Sequence, residues 1–256
     1  MKESIGFIGG GRITRIFLQA FQNKHTSFSR IVVAETNGET AARLLTAFPD
    51  ISINDASAAA SQDIVFIALH PPVIIDTLEL IRNSFKRDAI VISLAPKISL
   101  DKMSSKIPQS GNLGRLIPNA TSYINKGYNP VCFAGGFNAS AKLEILPLLE
   151  LLGSTFEVPE KKLESYAILS AMLPTYFWFQ WKALEEIGQK TGMNEKEAAV
   201  TIYETLNASL DLMYKSGLTS SEVMDLIPVK PISENEQQIT DIYNQKLIGL
   251  YEKIKS

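Results

Sequence analysis

The chain has 256 residues, 45% of them hydrophobic, which suffices for one large packed domain or two small ones and excludes a chain disordered throughout. Its 25 basic and 27 acidic residues leave a net charge of −2, without the basic footprint that nucleic acid or an anionic membrane surface requires. One cysteine, Cys132, and two histidines exclude an internal disulfide and a Cys/His zinc site. The expectation is a cytoplasmic protein with a small-molecule substrate and with neither a nucleic-acid nor a membrane partner. Met1-Lys2-Glu3-Ser4 leads directly into a strand-like segment, and no apolar run approaches the roughly 20 residues that span a bilayer, so no export signal or membrane anchor is expected.

From Ile5 to about Val158, short apolar runs alternate with amphipathic stretches. Strands buried on both faces of a parallel sheet and joined by helical crossovers produce this pattern. Strands are predicted at 4–8, 31–35, 64–69, 90–94, 114–117 and 131–134. Helices are predicted at 13–23, 38–48, 73–84 and 139–152, the last stopped by Gly153. This is the α/β order of a Rossmann-type doubly wound sheet. Beyond Pro159 the periodicity becomes helical, with helices predicted at 161–188, 195–216, 220–226 and 234–255. The predicted domains are therefore a dinucleotide-binding domain, 1–159, and an all-α domain, 160–256. So short a helical segment buries its apolar stripes poorly alone, and a homodimer through these C-terminal helices is expected.

The strongest local motif is Gly6-Phe7-Ile8-Gly9-Gly10-Gly11-Arg12-Ile13-Thr14, a strand passing through a glycine cluster into a helix. Gly9 permits a tight turn and Gly11 lets backbone approach a pyrophosphate, which would sit on the free N–H groups of the helix start. The third small position of this fingerprint is Thr14, which predicts slightly wider helix–strand spacing. Glu35 closes the next strand, where a carboxylate accepts from the adenosine ribose hydroxyls and repels a 2′-phosphate. NAD or NADP is the expected cofactor, with NAD preferred. Arg12 and Arg43 are the side chains within reach of a phosphate, and solvated helix faces are the plainer account of both.

These residues and several others resemble the pyrroline-5-carboxylate reductase family. Ile5 to Gly11 is similar to that family's first strand and turn. Ala68-Leu69-His70-Pro71-Pro72 is similar to its Val-Lys-Pro segment, Ser93-Leu94-Ala95 to its Ser-Ile-Ala turn, and Arg115-Leu116-Ile117-Pro118-Asn119 to its Arg-Val-Met-Pro-Asn motif. The resemblance extends into 160–176, the start of the family's helical dimerisation domain. It implies that Gly9, Gly10, Gly11, Arg12 and Ile13 cradle the pyrophosphate and that Glu35, Thr36 and Asn37 meet the ribose. Leu69, His70 and Pro71 would line the cofactor, with Asn119 beside the nicotinamide or substrate as the catalytic candidate. An Asx turn is the structural alternative for Asn119. It further implies hydride transfer to a cyclic imine or related small C=N or C=O substrate.

The chain also departs from the family. Ala171-Met172-Leu173-Pro174 stands where the family has Gly-Ser-Gly-Pro, and 228–234 lacks its glycine-rich Ser-Pro-Gly-Gly-Thr-Thr substrate loop. A remodelled substrate pocket is therefore expected. Tyr176, Ser233 and His70 are candidate proton donors; Lys97 and Lys230 are candidate carboxylate partners. A core wall explains Tyr176 as well, an N-cap Ser233, and solvation the lysines. A 3-hydroxyacid dehydrogenase-like enzyme and a non-catalytic dinucleotide binder are the competing readings.

Overall fold

The structure, a computed structural model, describes residues 3–255. Residues 3–172, with 250–255, form one compact unit; Leu173–Gly249 forms a second.

The first unit is built on a sheet of eight described strands: β1 (Ser4–Ile8), β2 (Arg30–Ala34), β3 (Ile51–Asn54), β4 (Ile64–Ile67), β5 (Ile90–Ser93), β6 (Asn112–Leu116), β7 (Gly127–Phe133) and β8 (Gly153–Glu157). Their spatial order is β3-β2-β1-β4-β5-β6-β7-β8. Strands β1 to β6 are mutually parallel, whereas β7 runs antiparallel to β6 and β8 parallel to β7. The sheet is thus mostly parallel, with its last two strands reversed. Its helices are α1 (Arg12–Asn23), α2 (Gly38–Ala47), α3 (Ala56–Ala60), α4 (Pro71–Ile81), α5 (Leu100–Lys106) and α6 (Ala139–Glu150).

Every residue of β1, β4 and β5 is buried, because successive side chains feed two cores on opposite faces of the sheet. Phe7 and Phe66 point to one face and stack at 5.2 Å, with Phe17 of α1 lying 5.0 Å from Phe66. Val65 and Ile67 point to the other face, against Ile74 and Leu78 of α4. Full burial of each such side chain stabilises the fold by roughly 1.5–3 kcal/mol.

Sequence periodicity leaves β3, β8, α3 and α5 unassigned: β3 and β8 lack the continuous apolar run of the central strands, and α3 and α5 are too short to establish a helical period. Gly153 does more than stop a helix: at φ 129° it turns the chain directly into β8.

The helix predicted over 161–188 is interrupted. It comprises a 3₁₀ turn at Glu160–Lys162, α7 (Leu163–Tyr166), a π turn at Ala167–Ala171, and then α8 (Leu173–Lys190). Pro174 explains the break, because it has no N–H for the carbonyl of Ser170 and its ring clashes with a regular preceding turn. The wider turn closes with the Met172 N–H donating to Ala167 O at 3.0 Å. Leu163 and Ala167 are buried in the first unit's core, so the compact division falls at Met172 rather than at Pro159.

The second unit continues with α9 (Glu195–Lys215), α10 (Ser220–Asp225), α11 (Glu236–Tyr243) and a π turn at Asn244–Ile248, after which α12 (Gly249–Ile254) begins. Capping boxes start α9 and α10, where Asn194 pairs with Glu197 and Thr219 with Glu222.

Candidate functional site

The neighbours of β1 lead to opposite sides of the sheet, β2 and β3 one way and β4 to β8 the other. Open α/β sheets bind ligands outside the C-terminal strand ends at such a switch point. A cavity of about 950 Å³ lies there, within the first unit. Gly10, Gly11, Arg12, Ile13, Leu69, His70 and Pro71 all line it, so seven of the residues singled out by sequence meet on one surface.

Gly9 occupies φ 105°, and a Cβ there would meet the Ala68 carbonyl oxygen at 2.5 Å; turn and close approach both demand glycine. Gly11 is the N-cap of α1 and carries no side-chain cap, while a Cβ on it would meet nothing within 4 Å. The first-turn N–H groups of α1 therefore face open cavity, the geometry an anion requires. Thr14, expected to widen the helix–strand spacing, is fully buried and donates from its hydroxyl to Gly9 O at 2.5 Å, pinning the turn instead.

Glu35 stands one layer behind the cavity lining. Its carboxylate accepts from the Gly10 N–H at 3.0 Å and from the Asn37 N–H at 2.7 Å, fixing a negative charge beside the glycine turn. Thr36 and Asn37 are exposed, and Asn37 caps α2 by accepting from the Thr40 N–H at 2.9 Å. Three arginines, Arg12, Arg15 and Arg43, line the same end. Arg43 sits 3.5 Å from Glu39, and Arg15 lies over the Tyr123 ring at 5.9 Å.

His70 is the N-cap residue of α4, with Pro71 and Pro72 opening the helix, so its imidazole is held at the cavity edge by backbone of fixed φ. The wall opposite the glycine turn comes from the ends of β5 and β6, through Leu94, Ala95, Pro96, Ile117 and Pro118, and from the π turn, through Ala167, Ala171 and Met172.

Asn119 does not line the cavity. Its amide donates to Ser170 O at 2.7 Å and to Ser170 Oγ at 3.1 Å, while its carbonyl accepts from the N–H and hydroxyl of Thr121. Both the Asx turn and a long-range tie are thus present in one side chain. Arg115, from the same motif, is fully buried and bonds Glu160 at 2.8 Å and Glu164 at 2.5 Å. Those two carboxylates also accept from the N–H groups of Leu100 and Lys97, tying the loop after β5 to the segment preceding the π turn. Lys97 takes φ 76° in this clamp, and its side chain is exposed outside the cavity lining.

Sequence reasoning missed Arg15, Thr40, Leu44, Ala47 and Ala167 as lining residues. Helical spacing places Arg15 on the face of Arg12, a signal that was available. No local pattern marks Ala167, whose place depends on the fold. Among the described residues no group of acidic, histidine or cysteine side chains could hold a metal, and no helix is long and apolar enough to cross a membrane.

The fold, the glycine turn and the cavity at the switch point define the class, that of Rossmann-type dinucleotide-binding proteins. Residues 4–97 match the family model described as NADP oxidoreductase, coenzyme F420-dependent. Over 224 residues the chain is 24% identical to a pyrroline-5-carboxylate reductase of Corynebacterium melassecola, covering 86% of this chain and 83% of that one. Its fold matches Plasmodium falciparum pyrroline carboxylate reductase, solved with NADP bound, at TM-score 0.81 and 18% identity, covering 99% and 97% of the two chains. The enzyme from Streptococcus pyogenes gives TM-score 0.81 and 20% identity, covering 99% and 98%. In sequence and in fold the chain is thus similar to the pyrroline-5-carboxylate reductases.

Proposed function

We propose that the chain is an NAD(P)-dependent oxidoreductase that reduces a small C=N or C=O substrate, as the names of its relatives describe for a pyrroline carboxylate. The observation that carries this reading is one cavity running from the uncapped start of α1 to the apolar wall formed by the ends of β5 and β6. In it Gly11 to Ile13 hold the pyrophosphate on backbone N–H groups, with Gly9 and Gly10 making the turn. Glu35, Thr36 and Asn37 meet the adenosine ribose, and Leu69, His70 and Pro71 flank the nicotinamide.

A bound reduced nicotinamide supplies the hydride. The chain's own residues orient the two carbons, exclude water and deliver a proton. Leu94, Ala95 and Ile117, all buried, keep that end dry. His70 is the titratable side chain among the described lining residues at this end, and its imidazole is the proton source. Asn119 is a positioning residue, holding the π turn through Ser170.

The fixed Glu35 carboxylate favours NAD over NADP by repelling a 2′-phosphate. A homodimer covers the second unit, whose α8 has no buried residue and carries Phe179 at 69% exposure and Ile187 at 52%. Cytoplasmic residence fits the lone Cys132, a buried thiol that burial pushes up to about 12.

Thermal unfolding with NAD, NADH, NADP and NADPH tests the cofactor assignment, because a ligand at 100 times its Kd stabilises the folded state by about 2.7 kcal/mol. The expected shift is largest for the non-phosphorylated pair. No shift with any of the four removes the assignment.

A further inference from the structure

We propose that the substrate is a small cyclic imine without a carboxylate, reduced as its iminium cation. This rests on the reductase reading above and names the substrate class of that site.

The basic side chains of the cavity are segregated. Arg12, Arg15 and Arg43 all lie on α1 and α2, at the end where the cofactor phosphates bind. The opposite wall presents Leu94, Ala95, Pro96, Ile117, Pro118 and Met172, and no basic side chain among the described residues apart from His70 at its edge. A carboxylate seated there leaves water without a cation to meet it, which an apolar wall penalises.

Backbone does not replace the missing cation. In the loop that forms this wall, the Ala95 N–H donates to Ser93 Oγ, the Lys97 N–H to Glu164 and the Leu100 N–H to Glu160. These donors are committed inside the protein, so no nest of free N–H groups faces the cavity from these positions.

Behind the wall lies an ion cluster of net negative charge, with Glu160 partly exposed. Arg115 alone faces two carboxylates, Glu160 and Glu164, and Glu164 is almost wholly buried three residues before Ala167 of the lining. Such a cluster repels a substrate anion and stabilises a substrate cation. Protonation of the imine nitrogen creates that cation. The iminium carbon then gains a hydride from the reduced nicotinamide, the C=N π pair moves to nitrogen, and a neutral amine and oxidised cofactor result. The proton was taken up in the first step, so no further reactant is needed.

The test is steady-state reduction by the full-length chain of 1-pyrroline and 2-methyl-1-pyrroline against 1-pyrroline-5-carboxylate, with NADH or NADPH in excess. The expected kcat/KM is at least about tenfold higher for the uncharged imines, the factor that 1.4 kcal/mol of discrimination produces. Equal or better turnover of the carboxylate overturns the substrate class and leaves the reductase reading standing. Absence of turnover on all three, with NADH still raising the unfolding temperature, removes both. Ala171→Lys, which puts a cation on the apolar wall, is expected to move the ratio toward the carboxylate by about tenfold; an unchanged ratio contradicts the placement of the substrate against that wall.

Discussion

The side-chain amide of Asn119 donates to the main-chain carbonyl of Ser170 at 2.7 Å, the carbonyl that Pro174, four residues on, has no N–H to satisfy. A break in one helix is thus sealed by a strand-end residue 51 positions away.

Asn119→Ala removes this donor and leaves a buried carbonyl unpaired. The expected loss is about 1–3 kcal/mol of stability, read by urea denaturation. Asn119→Asp keeps the acceptor for Thr121 but not the donor to Ser170, and is expected to lose a comparable amount. Unchanged stability in both variants, with kcat lowered, would place Asn119 against the substrate instead.

Gly9→Ala and Gly11→Ala are expected to fail differently. At Gly9 the positive φ and the Ala68 carbonyl strain any side chain, so the fold itself loses about 1–3 kcal/mol. At Gly11 the new methyl enters open space, so the unliganded melting temperature stays unchanged while dinucleotide affinity falls about tenfold or more. Calorimetry with and without NADH separates the two, and intact binding in Gly11→Ala would contradict the cofactor site.

Glu35→Gln removes the fixed charge while keeping an acceptor for Gly10 or Asn37. NADPH affinity is expected to rise relative to NADH by about tenfold, measured by fluorescence titration. An unaltered ratio would mean that Arg12 and Arg43 set the preference.

Arg115→Met leaves Glu160 and Glu164 without their cation. Breaking a buried ion pair from one side costs on the order of 3–5 kcal/mol, and the unfolding midpoint is expected to drop accordingly. Restoring neutrality with Glu160→Gln and Glu164→Gln in the same chain is expected to recover part of the loss, which simple cavity formation does not predict.

Asp63 provides a pH signature. Burial raises its pKa, but hydrogen bonds from Lys86 and from the Ser4 N–H and hydroxyl outweigh this and lower it to about 2. A depressed carboxylate contributes stability that is fully present above its unfolded pKa of about 4 and is lost as pH falls through the folded value. The melting-temperature difference between the native chain and Asp63→Asn is therefore expected to be constant from pH 7 to 5 and to shrink between pH 4 and 2. A difference independent of pH would assign the effect to packing.

Local chemistry made much of this protein legible. Continuous apolar runs announced strands buried on both faces, and Gly9 announced the tight turn after β1, because its positive φ and close approach demand glycine. β3 and α3 were not legible, since Ile51–Asn54 lacks the continuous apolar run of the central strands and Ala56–Ala60 is too short to show a helical period. The reversal of β7 was hidden because an apolar strand reads alike in either direction.

The sequence by itself determined the doubly wound order and the glycine turn, the first through its alternating apolar runs and the second through what glycine backbone permits. Only the tertiary structure decided that Ala167 and Met172 wall the cavity, that Asn119 closes the break at Ser170, and that Arg115 answers two carboxylates. Those relations join residues 45 to 51 positions apart, where contact depends on strand order and helix packing rather than on any local preference.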